Sequence, residues 1–381
     1  MGQPVRVLHV LGGVSLGGAE SRIMDLYRNM DRDRIQFDFL VHSDRGQDRV
    51  PEFYDKEIGE LGGKIFVLPR FRIYNYFSYR HAVRRFFKVH HEFAVVQGHM
   101  TSTAAIYLPE AKKAGIPVTA AHARSAGVDQ GIKGRLTRWL RRNLLEQADY
   151  CFACSGEAGE AVFGPKWAGS KKAFVIPNAI ETEKYVFQDR IRKEIRENLK
   201  INDCYVLGHV GRFHYAKNHE FLLEIFAAAR EELAKKGKRA VLLLLGEGSG
   251  MEEARRKASE LDVLPDVLFM GNKENVEDYY QAFDYFVFPS RFEGLPGTVV
   301  EAQAAGLRCI ISDRITREAG LCSLVHYESI DEPAAMWAAY LTEHAEYERE
   351  NTQELIKRAG FDVKEQAVRM TQFYETGWRE S

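Results

Sequence analysis

The chain has 381 residues, more than one ordinary core accommodates, so two domains are expected. Hydrophobic residues make up 45% and charged residues 28%, the balance of a globular protein, and a formal net charge of -1 gives no electrostatic case for nucleic acid. No run of about 18 apolar residues is present, which argues against a membrane-spanning helix.

In chain order, VRVLHVL near the start lacks a basic leader and a small-residue cleavage site, and reads as a first strand rather than a signal peptide. FDFLVH, KIFVLP, AVVQGH, PVTAAH, YCFACS and AFVIPN follow as strands, with helical segments beginning near Ala19, Pro51, Phe77, Ser102, Lys133 and Gly156. Apolar strands alternating with helices imply a parallel sheet covered on both faces. From Ala179 to Asn202 the chain turns polar, with no strand. A second series follows: YVLGHVG, RAVLLLLG, DVLFMG, YFVFPS and RCIISD. The last segment, Asp362 to Trp378, carries Val363, Ala367, Met370, Phe373 and Tyr374 at helical spacing. The expectation is an α/β chain of two doubly wound, Rossmann-like domains with a cleft between them. Residues 1–178 form the first and 179–361 the second, and a final helix spans about 362–381. Ligands of such sheets bind beyond the carboxyl ends of the strands.

The five cysteines, Cys151, Cys154, Cys204, Cys309 and Cys322, are odd in number and form no dense framework, which points to a reducing compartment, the cytosol. Cys151 and Cys154 form a CxxC inside an apolar strand, so they read as buried structural thiols rather than a redox or zinc pair.

Chemistry-bearing residues follow strands. LGGVSLGGAES, residues 11–21, places Gly12, Gly13, Gly17 and Gly18 before a helix whose first N–H groups favour an anion, although a tight strand–helix turn explains the same glycines. His99 in VVQGHMTS and His122 in TAAHARSAG end strands, His122 beside Arg124 and Ser125. In GHVGRFHYAKNHEF, Arg212 and Lys217 stand five apart across a helix-opening turn, a pairing suited to a phosphate or diphosphate. In FEGLPGTVVEAQAAG, Pro296 marks a helix start and the N–H groups from Gly297 to Val299 face an anion. Glu301 lies one turn into that helix, where a carboxylate can accept from two vicinal hydroxyls, and Glu293 lies in the loop before it. A role on the helix dipole explains Glu301 alone but not the glycines. Asp31-Arg32-Asp33 spells a DxD, which reads as a charged turn rather than a metal site. From Leu61 to His91 there is no acid, while Arg70, Arg72, Arg80, Arg84, Arg85 and Lys88 interleave with seven aromatic residues; KGRLTRWLRR, residues 133–142, adds basic charge. Either a face for anionic membrane or lipid diphosphate, or amphipathic helices with aromatics inward, accounts for this pattern.

GRFHYAKN together with EGLPGTVVEAQAAG resembles the retaining family 4 glycosyltransferases of the GT-B fold, through GR…K and an E-x7-E signature. LGGAE and the HARS turn are similar to those of bacterial exopolysaccharide and capsular polysaccharide glycosyltransferases. The resemblance implies a nucleotide-sugar donor, UDP-linked by preference, held mainly by the second domain without a metal or other cofactor. It implies that Arg212 and Lys217 hold the diphosphate, Glu301 the ribose and Glu293 the sugar. The backbone of Gly294, Leu295, Gly297, Thr298 and Val299 meets sugar and phosphate, and Met270, Gly271 and Asn272 meet the base. Gly17 and Gly18 approach the donor phosphate, His122 the reacting carbon, and His99 and Arg124 the acceptor. The implied reaction retains configuration at the anomeric carbon. The acceptor is a glycan or polyprenyl-diphosphate-linked saccharide, and the location is cytoplasmic or peripheral on the inner face of the plasma membrane. A sugar-nucleotide epimerase of the same fold and a non-catalytic nucleotide-sugar binding protein are the alternatives; the GR…K and E-x7-E residues argue against both. A nicotinamide dehydrogenase is disfavoured by the missing GxGxxG.

Overall fold

Runs of Val, Ile, Leu and Phe, buried on both faces, build two separate parallel sheets. The computed structural model describes residues 3–124 and 131–377. The first sheet holds β1 (Val5–Val10), β2 (Ile35–Ser43), β3 (Ile65–Pro69), β4 (Val95–Gly98), β5 (Val118–Ala123), β6 (Tyr150–Ala153) and β7 (Ala173–Val175), in the order β3-β2-β1-β4-β5-β6-β7. The order reverses between β1 and β4, where His9 pairs in register with Gln97. The second holds β8 (Cys204–Val210), β9 (Arg239–Leu245), β10 (Val267–Gly271), β11 (Tyr285–Phe288), β12 (Cys309–Ser312) and β13 (Val325–Glu328), in the order β10-β9-β8-β11-β12-β13, reversing between β8 and β11.

The sequence reading expects five strands in the second series and the sheet has six. β13, of sequence VHYE, pairs with β12 from Cys309↔Val325 to Ser312↔Glu328. It is a half-buried edge strand carrying His326 and Glu328, so it offers no apolar run. The helix Ala334–Glu343 is likewise absent from that reading; it packs its buried Trp337 on the helix His219–Lys235 side of the core.

By chain contacts the molecule divides at Ala179/Ile180 and again at Asp362/Val363. The middle unit, Ile180–Asp362, is closed where the chain enters and leaves it: Ile180 N donates to Phe361 O at 2.9 Å and Thr182 Oγ1 to Asp362 at 2.7 Å. The other unit gathers the chain before Ile180 with the helix Val363–Thr376. That helix buries Val363, Ala367, Met370, Phe373 and Tyr374 in the core formed by β1, β2 and the helix Gly18–Arg28. Trp378 and the residues after it lie outside the described residues. Central strands are tightly covered. A Cβ on Gly208 in β8 would fall 2.2 Å from the Phe283 ring, so only glycine fits there. Among the described residues no helix is long and apolar enough to cross a membrane.

Candidate functional site

At the β8/β11 reversal of the second unit, two loops are tied together. Arg291 N donates to Ala216 O at 2.8 Å and Asn218 Nδ2 to Pro289 O at 3.1 Å. Asn218 takes the left-handed conformation (φ 57°) that lets the turn end and the helix His219–Lys235 begin, which asparagine tolerates better than most residues. The consequence is that Lys217 and Glu293, 76 positions apart by number, meet: Nζ lies 2.8 Å from Oε1, with each side chain 18% exposed. The ammonium also lies 4.5 Å from the centre of the Phe288 ring. Arg212 on the same turn is exposed and has no ion-pair partner among the described residues. The sequence reading places Lys217 on phosphate and Glu293 on sugar; in the structure they pair with each other.

The helix Gly297–Ala304 starts directly after Pro296. Val299 N is already taken by Pro296 O at 3.1 Å, which leaves Gly297 and Thr298 as the outward N–H groups. Thr298 Oγ1 is buried with no hydrogen-bond partner. Glu301 is 4% exposed and accepts from Tyr280 Oη at 2.9 Å; the same hydroxyl reaches Thr298 O at 3.1 Å. Burial, then the Glu301 charge, pushes the Tyr280 phenol well above its ordinary value, so it remains a donor. Tyr280 was not legible as a site residue, because nothing in VEDYYQAF distinguishes it from a core tyrosine. Gly294 and Leu295 are buried beneath this turn. A Cβ on Gly297 would meet nothing within 4 Å, so internal packing does not require glycine there. At the end of β10, Gly271 adopts φ +66° and its carbonyl accepts from Gly246 N at 2.9 Å. Met270 is half-buried, and exposed Asn272 donates to Glu247 Oε2 at 3.2 Å.

In the first unit the glycine loop divides into two halves. Val14 N donates to the Glu52 carboxylate, and a Cβ on Gly13 would lie 2.7 Å from that carboxylate. Gly13 is therefore explained by an internal contact. Gly17 caps the helix Gly18–Arg28 in an extended conformation, and a Cβ on Gly18 would meet nothing within 4 Å. The strand ends carry a row of rings, His9 and His122 buried and His99 half-buried. His9 Nδ1 lies 3.0 Å from His99 Nε2 and the rings stack at 5.3 Å; His122 follows at 5.2 Å from His99. Arg124 donates to His99 Nδ1 at 3.3 Å and to Asn178 Oδ1 at 2.8 Å. Burial, with Arg124 adding to it, lowers His9 to about 3 and drives His99 and His122 well below their usual value. Burial also lowers Arg124 to about 10, which leaves it charged at neutral pH. Ser125, expected beside His122, lies outside the described residues.

Other readings resolve differently. Cys151 and Cys154 are fully buried, and burial lifts the Cys151 thiol to about 12, the behaviour of a structural thiol. Asp31 Oδ1 accepts from Asp33 N at 3.1 Å within its own turn. Among the described residues no three His, Cys, Asp or Glu side chains converge to hold a metal. The basic aromatic segment splits. Tyr79 and Phe87 are core, and Arg80 and Arg84 pair with Glu110 at 2.8 and 2.5 Å. Tyr74 and Phe77 are 85% and 84% exposed, and Arg85 and Lys88 have no ion-pair partner among the described residues.

Residues 16–184 match the model of the family described as Glycosyltransferase Family 4, and residues 204–341 that described as Glycosyl transferases group 1. The chain is 36% identical over 378 residues to the putative glycosyltransferase EpsF of Bacillus subtilis, covering 97% of this chain and 96% of that one. It is 26% identical over 233 residues, 58% of each chain, to the UDP-Gal:alpha-D-GlcNAc-diphosphoundecaprenol alpha-1,3-galactosyltransferase of Escherichia coli. Among solved structures, Anabaena HepE in complex with UDP and glucose superposes with a TM-score of 0.75 at 16% identity, over 98% of this chain and 100% of that one. The fold is therefore GT-B, two Rossmann-like units in one chain.

Proposed function

This chain belongs to the glycosyltransferases that join a family 4 domain to a group 1 domain, and we propose that it moves a sugar from a UDP-linked donor to a glycan or polyprenyl-diphosphate-linked acceptor in polysaccharide synthesis. The observation that carries the reading is the Lys217–Glu293 pair at the strand reversal, where the loop after β8 also carries Arg212 and the loop after β11 leads into the Gly297 helix start. Breaking the anomeric bond leaves negative charge on the nucleoside diphosphate. In this reading Arg212, Lys217 and the Gly297 and Thr298 N–H groups take up that charge without a divalent cation. A preorganised donor of this kind is worth about 3–4 kcal/mol in the transition state. Diphosphate draws Lys217 away from Glu293, and the released carboxylate is then free for sugar hydroxyls. Glu301, oriented by Tyr280, accepts from the ribose diol. Backbone at Met270, Gly271 and Asn272 meets the base. Gly17 and Gly18 approach the phosphate, His122 the donor sugar, and His99 and Arg124 the acceptor.

Retention of configuration at the anomeric carbon belongs to this proposal, on the likeness of the GR…K and E-x7-E residues to those of retaining family 4 enzymes. The HepE complex with UDP and glucose and the UDP-Gal and diphosphoundecaprenol in the E. coli relative's name support the donor and acceptor classes. Exposed Tyr74 and Phe77 beside Arg85 and Lys88 suit peripheral docking on an anionic leaflet. Thermal stabilisation by UDP, GDP and ADP, in wild type and Glu301→Ala, tests the donor site. A selective shift with UDP, weakened in the variant, is expected; no shift with any nucleotide at millimolar concentration sinks the reading. Anomeric configuration of the product, read by proton NMR, tests retention.

A further inference from the structure

Beneath the loop that carries Arg212 and Lys217, one buried nitrogen stands unpaired. His209 in β8 is fully buried, and its Nδ1 lies 2.9 Å from Val287 O in β11. A carbonyl oxygen only accepts, so Nδ1 carries the proton. Burial keeps the ring neutral, lowering it to about 3, and Nε2 is therefore a bare lone pair. That nitrogen has no hydrogen-bond partner among the described residues. A buried polar atom left unpaired is costly and calls for an explanation. The His219 ring stands edge-on to His209 at 4.9 Å and the Phe288 ring stacks on it at 5.4 Å, and neither completes a bond to Nε2. The Lys217 side chain comes close. A Cβ on Gly211 would fall 3.0 Å from His209 Nε2, 3.2 Å from Lys217 Cε and 3.3 Å from Lys217 Cδ, so the bare nitrogen and the end of the lysine border one small space. The ammonium, one bond further on, lies 4.5 Å from the centre of the same Phe288 ring while it holds Glu293 at 2.8 Å.

We propose that His209 is a positioning residue for Lys217: once Glu293 is engaged by the donor, the His209 Nε2 lone pair accepts one N–H of the Lys217 ammonium and steadies the others towards the diphosphate. This rests on the diphosphate role proposed above for Lys217 and deepens it. An ammonium has three donors and no acceptor, and a half-buried one is held in place by more than one partner. A neutral imidazole supplies such a partner without cancelling the charge that the diphosphate needs, as a second carboxylate would. His209 touches no substrate in this arrangement and acts through the lysine alone, within one unit.

The first test needs no nucleotide. 15N NMR of histidine-labelled wild type is expected to show His209 protonated at Nδ1 only. Glu293→Ala takes the carboxylate away from Lys217, and the His209 Nε2 resonance should then move to the shielded side, as a lone pair does on accepting a hydrogen bond. Lys217→Met added to that variant should move it back. A wild-type ring protonated at Nε2, a resonance unmoved in Glu293→Ala, or one that Lys217→Met fails to restore overturns the proposal. The second test compares two substitutions. His209→Asn keeps a donor for Val287 O with nothing at the Nε2 position, whereas His209→Gln places an amide oxygen there. In calorimetry His209→Asn should weaken UDP by about fivefold or more and leave uridine unchanged, and His209→Gln should recover most of that loss. UDP binding as in wild type, equal losses for UDP and uridine, or no recovery in His209→Gln overturns the proposal. UDP binding by wild type is read separately from the NMR shift, so failure of the donor reading and failure of this one are distinguishable.

Discussion

The two units finish their central strands in opposite ways. In the first, His9, Gln97 and His122 at the tips of β1, β4 and β5 are buried and tied into hydrogen bonds, His9 with His99 and Gln97 with His122. In the second, the loops after β8 and β11 carry Arg212, which is exposed, and Lys217 and Glu293, which are half-buried and stored as an ion pair. Desolvation explains the difference. A buried imidazole remains neutral and keeps its direction, whereas a group that must answer a diphosphate has to remain charged, which water or an ion-pair partner allows. One set is suited to orienting and the other to binding charge.

Removing charge from the second set should have the largest effect. Lys217→Ala is expected to lower kcat/KM about 10²–10³-fold in a steady-state assay, because it deletes one cation and frees Glu293 to repel the diphosphate. Glu301→Ala should weaken UDP by about 10–100-fold in calorimetry, the worth of hydrogen bonds to one carboxylate. Beneath the same loops, Gly208→Ala should destabilise the fold by about 1–3 kcal/mol in urea titration, since the added methyl runs into Phe283.

Acid should blur the contrast, because both units hold buried histidines. His9 and His209 fall to about 3 and His219 to about 2, mainly through burial, against about 6.5 when unfolded. The unfolded chain therefore binds more protons. Stability is complete above about pH 6.5 and falls as pH drops from there towards 3, by about 1.4 kcal/mol per pH unit for each histidine. Urea midpoints at pH 7 and pH 5 measure the loss; equal midpoints would mean these rings are not buried neutral. The smallest effect on stability belongs to the surface. Phe77→Ser should leave the midpoint unchanged while reducing sedimentation with anionic vesicles at low salt. Unchanged sedimentation would remove the membrane reading.

Both sheets, their parallel sense and the placement of Arg212, Lys217, Glu293 and Glu301 at strand ends were legible in the sequence. Period, turn residues and strand-end position are local properties, and the chain displays them locally. β13 escaped because an edge strand half in water needs no apolar run. Three facts were decided only by tertiary structure: that Lys217 and Glu293 hold each other, that Tyr280 orients Glu301, and that Tyr374 reaches Gln97 from the far end of the chain. Each is a contact between residues distant in sequence. Hydrogen-bond partners are chosen by which side chains packing leaves within 3 Å in a dry interior, and no spacing along the chain encodes that choice.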